Sequence, residues 1–471
     1  MASSVSSLTS GLGSTLTSGT GSTGTGVGQG INVQQFVQFA VAGQQASITA
    51  LEAQQTSLNS QASELSTISS NLSALKNAAA VLNDPLGSLN AEVATSSNSS
   101  ILTANASGVA IAAAHTISVT NLATTSSYYT DAVASSSTAL ATGDTISISV
   151  GGQPVTSVTI DSTNNTLDQL VAAINSQTSA VQANIINDAN GARLAIVSAT
   201  SGVPGNIGVT GSLHLTDVSN TAINFNQAVA GLNAKLSVDG VPISSTTNTV
   251  SGVINGVTLN LAAPTVTNGI DNPVSLTVAP DTSQATTALN NFASAYNAVV
   301  TEINKQFTVA ADGSGGGPLE ADNSLRQVQS LLLGAISYSV SGNNGIVNLA
   351  SIGVDFNNDG TLSVNNSTLS SALSSNFAAV QNLLQNSTTG FSHNLSQVVS
   401  LINGPGTGIL SLDTQGITNI SQGLTQQINT LQAALVVQEK NFTAIYSRVN
   451  ATLQQLPLLQ NQLTQSLAGL P

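Results

Sequence analysis

Residues 417–456, ITNISQGLTQQINTLQAALVVQEKNFTAIYSRVNATLQQL, place apolar side chains at steps of three and four: Ile417, Ile420, Leu424, Ile428, Leu431, Leu435, Phe442, Ile445, Val449, Leu453 and Leu456. That spacing predicts one stripe down one long helix. Gln438 interrupts it, and the remaining positions are mostly Gln, Asn, Ser and Thr. A helix cannot bury so narrow a seam alone, so partner helices must come from the same chain or from other copies.

The other end of the chain offers such a partner. Leu51, Leu58, Leu65 and Leu72 stand seven apart, with Ile68, Leu75 and Leu82 as a second seven-step row. This coiled-coil-like stripe should end at Asn83-Asp84-Pro85, where proline removes a donor and clashes with the preceding turn. Ahead of it, residues 1–30 are almost wholly Ser, Thr and Gly and read as a flexible leader. Their Gly cluster lacks the strand and lysine of a phosphate loop.

Between the two ends the period changes. From Ile101 to about Val278, short β-branched runs alternate with Gly, Asn, Asp and Pro, and Asp239-Gly240 and Asn255-Gly256 are hairpin signals. One helix is expected over 166–176. Helical spacing returns from Thr282, breaks at Gly313 to Pro318, and resumes over 323–336; a hairpin at 354–364 and a helix near 369–384 follow. Pro457 should close or kink the last helix. The fold expected is an α+β multidomain chain, with a terminal α-helical coiled-coil leg and a helical bundle carrying an inserted β-rich head. Its segments are 1–45 (leader and start of the leg), 46–96 (N-terminal helix of leg and bundle), 97–283 (head of two lobes, one inserted in the other), 284–405 (bundle with hairpin) and 406–471 (C-terminal leg helix).

Composition narrows the function. The 471 residues exceed one compact core and suggest about three domains. Charged residues make up 6%, with 7 Lys plus Arg against 21 Asp plus Glu, for a net charge of −14. Such a chain has no basic surface for phosphates, so neither nucleic acid nor an anionic membrane is an expected partner. Cysteine is absent, which removes disulfides, zinc thiolates and cysteine catalysis. Neither a secretory signal peptide nor a membrane span can be read, so a soluble protein that leaves the cell would use another route.

Chemical sites are weak. Asp355 to Thr361 fits the first half of an EF-hand loop, but Asn366 stands where a bidentate Glu is required, and Asp359-Gly360 between apolar strands reads as a hairpin turn. His115, His214 and His393 are scattered, without metal or triad spacing. Gly-x-Ser-x-Gly does not occur. Tyr128-Tyr129 is either an exposed contact or loop packing. No catalytic set, cofactor or metal is expected, and the protein is not read as an enzyme.

In combination, these stretches resemble the flagellar hook-associated protein 2 family. Gly28 to Val37 is similar to that family's glycine-rich entry into its first helix, with Asn32 in place of the usual acidic residue. Ile185 to Leu194, Leu236 to Val241, Asn248 to Val250 and Gly256 to Leu259 are similar to its head signatures. Phe292 to Val300, Leu349 to Gly353, Asp359 to Val364, Glu439 to Phe442 and Leu463 to Gln465 agree in order. The resemblance implies a structural cap at the distal tip of the bacterial flagellar filament, exported by the flagellum's own route. It implies a homo-oligomeric ring that retains flagellin and promotes its insertion, next to hook-associated junction proteins and with an export chaperone. The residues expected to carry assembly are Leu51, Leu58, Leu65 and Leu72 with Ile417, Leu424, Leu431, Leu435, Phe442, Ile445, Val449 and Leu456. Two other readings stand beside it: an adhesin binding host glycans through the Ser/Thr-rich head, and a hook-filament junction protein or filament subunit. Poverty of charge in the last helix, where Glu439, Lys440 and Arg448 remain, leaves register to Gln and Asn hydrogen bonds or to Gln438.

Overall fold

A computed structural model describes residues 32–309 and 315–468. The expected leader over 1–30 lies outside the described residues, as do Gly313 and Ser314 of the expected break. Among the described residues there are seven α-helices: α1 (Val33–Asn83), α2 (Leu167–Gln177), α3 (Thr282–Phe307), α4 (Asn323–Ile336), α5 (Asn366–Gln385), α6 (Phe391–Asn403) and α7 (Ile409–Ala468). The starts of the first five are fixed by side chains that take up otherwise unpaired N–H groups. Asn32 accepts from the Gln35 N–H, Thr166 from Gln169, Asp281 from Ser283 and Gln284, Asp322 from Ser324 and Leu325, and Asn365 from Ser367 and Thr368. Helix α1 stops at Asn83, two residues before Pro85, as the sequence requires. Helix α7 instead continues through Pro457 as far as Ala468. The missing N–H removes one backbone bond, a local cost that leaves the helix intact on both sides.

The chain divides into two units. One takes the chain up to Ser73, Val299–Leu331 and the chain from Val399 onward; the other takes Ala74–Ala298 and Leu332–Val398.

In the second unit, two β lobes are nested. The outer lobe has a five-stranded antiparallel sheet, in the order Glu92–Ser96, Val274–Pro280, Ala113–Asn121, Ala234–Val238, Val241–Ser245, and a three-stranded sheet of Thr249–Ile254, Val257–Leu261 and Leu102–Ala106. Alternation along these strands sends Ile117, Val119, Leu236, Leu259, Leu276 and Val278 into one shared core. The inner lobe runs from Thr125 to Val229. It comprises a four-stranded sheet (Phe225–Val229, Thr125–Thr130, Gly191–Ser201, Val181–Asp188), a three-stranded sheet (Gln153–Thr159, Thr145–Val150, Ile207–Gly211) and α2. Leu167, Leu170 and Ile174 of α2 pack into its core with Ile146, Ile148, Leu194 and Ile196. The nesting follows from chain order: the outer sheet is left after Asn121 and rejoined at Ala234.

The helical part of the same unit is closed by aromatics. Phe292 of α3 meets Phe391 of α6 edge to face, with centroids 5.4 Å apart and planes at 87°. Tyr296, one turn on, is buried, which pushes its phenol up to about 12. The hairpin Val354–Phe356 with Leu362–Val364 is tied to α3, where Asn297 exchanges hydrogen bonds with the Leu362 backbone at 2.6 and 2.8 Å. In its turn, the Asp359 carboxylate accepts from the N–H and hydroxyl of Thr361, so this EF-hand-like stretch folds as a hairpin turn.

Candidate assembly surface

The first unit contains the residues expected to carry assembly. Polar pairs fix the direction of α1 against α7: Glu52 meets Gln432, Gln55 meets Thr425, and Asn59 meets Ser421, while the Phe36 ring lies 5.7 Å from Tyr446. As one number rises the other falls, so the two ends of the chain form an antiparallel pair. Between these polar pairs Val41, Ile48, Ile428 and Leu435 are buried, with Leu51, Leu431 and Phe442 packed against them. Removing such side chains from water stabilises by roughly 1.5–3 kcal/mol each.

The other expected residues divide. Leu65 and Leu72 are fully buried, Ile417 and Leu424 nearly so, and Leu58 is half-buried. Ile445, Val449 and Leu456 are not brought into this core; they stay 44%, 43% and 41% exposed. Helix geometry accounts for this. On a straight helix a strict seven-residue pattern drifts by ~20° per heptad, which turns these residues to the flank. Ile420 is likewise exposed, because Ser421 faces Asn59 in its place.

Gln438 lies half-buried between Leu435 and Phe442, a polar break in the seam of the kind that sets register at a cost in stability. Sequence reasoning missed Phe36, Gln55 and Tyr446. The signal was there for Tyr446, an aromatic four residues after Phe442 and 6.1 Å from it, but the strict seven-step rows left it off the seam.

Electrostatics in this unit are concentrated in two places. Lys305 bridges Glu302 at 2.9 Å and Glu64 at 3.6 Å, and the buried Gln306 donates to Glu64 at 3.1 Å and accepts from the Leu319 N–H. Burial works to raise the Glu302 carboxyl, but Lys305, Glu64 and Gln306 outweigh it and hold that group below its usual range. The second place is Asp413, near the start of α7. Burial, and then the adjoining Asp322, push its carboxyl up to about 6.

In the head, the histidines are engaged with single carboxylates. His115 Nδ1 lies 2.7 Å from Asp239 and His214 Nδ1 3.0 Å from Asp144. Asp239 is held below the usual range by His115 and by the Thr116 N–H. No group of three or more His, Asp or Glu that could hold a metal occurs among the described residues. Tyr128 packs against the inner core and Tyr129 lies under the Arg193 guanidinium, 5.6 Å from ring centre to Cζ. Pro242 blunts the open edge of the five-stranded sheet: Val238 and Val241 close a two-residue turn, which places the Pro242 nitrogen on the unpaired side.

This arrangement has relatives. The sequence family described as flagellar hook-associated protein 2 N-terminus matches residues 29–126, and its C-terminal counterpart matches residues 231–457. The B-type flagellar hook-associated protein 2 of Pseudomonas aeruginosa is 30% identical over 407 residues, 81% of this chain and 84% of that protein. The chain belongs to the flagellar hook-associated protein 2 family. The family member of Escherichia coli K12 is 29% identical over 466 residues, 93% of this chain and 97% of its own. The crystal structure of the D1-D2-D3 domains of the flagellar cap protein FliD from Escherichia coli superposes with a TM-score of 0.54 at 29% identity, over 75% of this chain and 99% of that one. The two family matches stop and restart at the borders of the inner lobe, which spans Thr125 to Val229. The head signature read at Ile185 to Leu194 therefore lies outside both matches.

Proposed function

We infer that the protein is the structural cap at the distal tip of the bacterial flagellar filament, reaching it by the flagellar export route, where it retains emerging flagellin and promotes its insertion. One observation carries this reading: both ends of a hook-associated protein 2 chain pair antiparallel as a helical leg, with a nested β head inserted between them. The work is mechanical. Copies form a ring through their heads, and weakly held legs take unequal positions at the tip, opening one insertion site at a time. Sparse charge and the Gln438 break suit a leg that yields and re-forms. Hook-associated junction proteins and an export chaperone complete its partners, and no covalent catalysis is involved. The family match supports neither the glycan-binding nor the junction-protein reading, and both are set aside. Gold-labelled antibody against the inner lobe tests the assignment: label confined to filament tips supports it, and label along the filament contradicts it.

A further inference from the structure

Helix α7 enters the first unit through a contact between two carboxylates. Asp322 caps α4, one of its oxygens accepting from the N–H groups of Ser324 at 2.7 Å and Leu325 at 3.2 Å. Asp413, in the second turn of α7, brings its carboxyl within hydrogen-bonding reach of Asp322. The Oδ2 atom of Asp413 is buried and accepts no hydrogen bond. A buried carboxylate oxygen without a donor, beside a second carboxylate, is costly when ionised; one shared proton turns the same contact into a hydrogen bond.

We propose that Asp413 forms a proton-operated joint with Asp322, which ties the start of the C-terminal leg helix to the cap of α4 when Asp413 holds a proton and loosens when Asp413 is ionised. The neighbouring charges leave this joint alone. Arg326 lies over the Phe307 ring, 4.6 Å away, and donates to the Glu320 carbonyl; the Glu320 carboxylate accepts from the Gly316 N–H; Lys305, Glu302 and Glu64 bind one another. Among the described residues, Asp322 is the ionisable group that acts on Asp413, and only the Ser324 hydroxyl favours its charged form. Asp413 binds its proton more tightly folded than unfolded, so the stability it contributes is full below the unfolded value of 3.8 and is lost as pH rises through about 6.

The experiment is amide hydrogen exchange on the full chain in metal-free buffer, comparing residues 409–420 near pH 5 and near pH 7.5 after correction for intrinsic exchange. Local opening should rise about tenfold across that interval in the wild type and stay flat in Asp413→Asn. Asp322→Asn keeps a capping side chain and removes the neighbouring charge but not the burial, so it should reduce the rise without abolishing it, and the joint remains testable if Asp413→Asn folds poorly. A flat wild-type profile, or an unchanged tenfold rise in either variant, overturns the proposal.

Discussion

Phe36 and Tyr446 face each other with ring centroids 5.7 Å apart and planes at 38°, joining the first described turn of α1 to a point well along α7. Phe442 adds a second ring contact to Tyr446 at 6.1 Å. These three aromatics fasten the far end of the leg, beyond the Gln438 break. Tyr446→Ala should weaken that end by about 1 kcal/mol, read as faster amide exchange over residues 33–45, while Tyr446→Phe retains protection. Equal exchange in all three proteins would mean that these rings do not clasp the leg.

The division of the seam into buried and open residues gives a contrast within one helix pair. Leu72→Ala should cost about 2–5 kcal/mol in the isolated chain. Val449→Ala should stay within about 0.5 kcal/mol, because Val449 is already open to solvent. Denaturant unfolding of the two variants distinguishes them; a large loss from Val449→Ala would mean that the leg is buried further than α1 reaches.

Gln438 sits where the pattern asks for an apolar residue. Gln438→Leu should raise the thermal midpoint of the leg helices, with a gain near 1 kcal/mol followed by circular dichroism. The same change should slow or stall filament growth if the leg must yield to work. A lower midpoint would show that the Gln438 amide is better satisfied than its surroundings imply.

Gly191 closes a hairpin of the inner lobe with φ at +128°, and a Cβ there would come within 2.1 Å of the Val133 carbonyl oxygen. Gly191→Ala should therefore destabilise the lobe by at least about 1–3 kcal/mol, through both strain and the displaced Val133 bridge. Unfolding of the full chain, with the lobe followed by exchange over 181–201, checks this. A neutral substitution would mean that the bridge between Val133 and Ala192 is dispensable.

Acid should act on the head in the opposite sense to Asp413. Asp131 is held below its usual range first by the Asn224 N–H, Asp188 first by Arg193, and Asp271 first by the Ser118 hydroxyl. Carboxyls lowered in the folded state contribute stability that is present above the unfolded value of 3.8 and lost as pH falls through their folded values. Head stability, followed by exchange within the β lobes, should thus hold steady down to about pH 4 and fall only below it. Loss beginning well above that value would contradict these assignments.

Much of this fold is legible in the sequence because its signals are local. Helix α4 spans Asn323–Ile336, where the spacing places it; the hairpin between Val354 and Val364 follows from Asp359-Gly360, and α2 begins one residue from its expected start. The strand Glu92–Ser96 escapes notice because its pairing with Val274–Pro280 joins residues far apart in the chain. Helix α6 is legible but passed over: Phe391, Leu395, Val399 and Ile402 recur at helical steps of three and four, in a short segment that begins right after Gly390. In the leg, the seven-step rows identify which helices pair but not how far, since that depends on how a straight helix drifts. Nothing local marks Asp322 and Asp413, which meet only when α4 and α7 fold together.

In the function proposed above, the cap holds flagellin at the tip through its C-terminal leg helix. Deleting the chain from Gly416 onward, in a strain with no other copy, tests it most directly by filament length and flagellin in the medium. Absent or stunted filaments with flagellin lost to the medium are expected; filaments of normal length with clear medium would contradict this role.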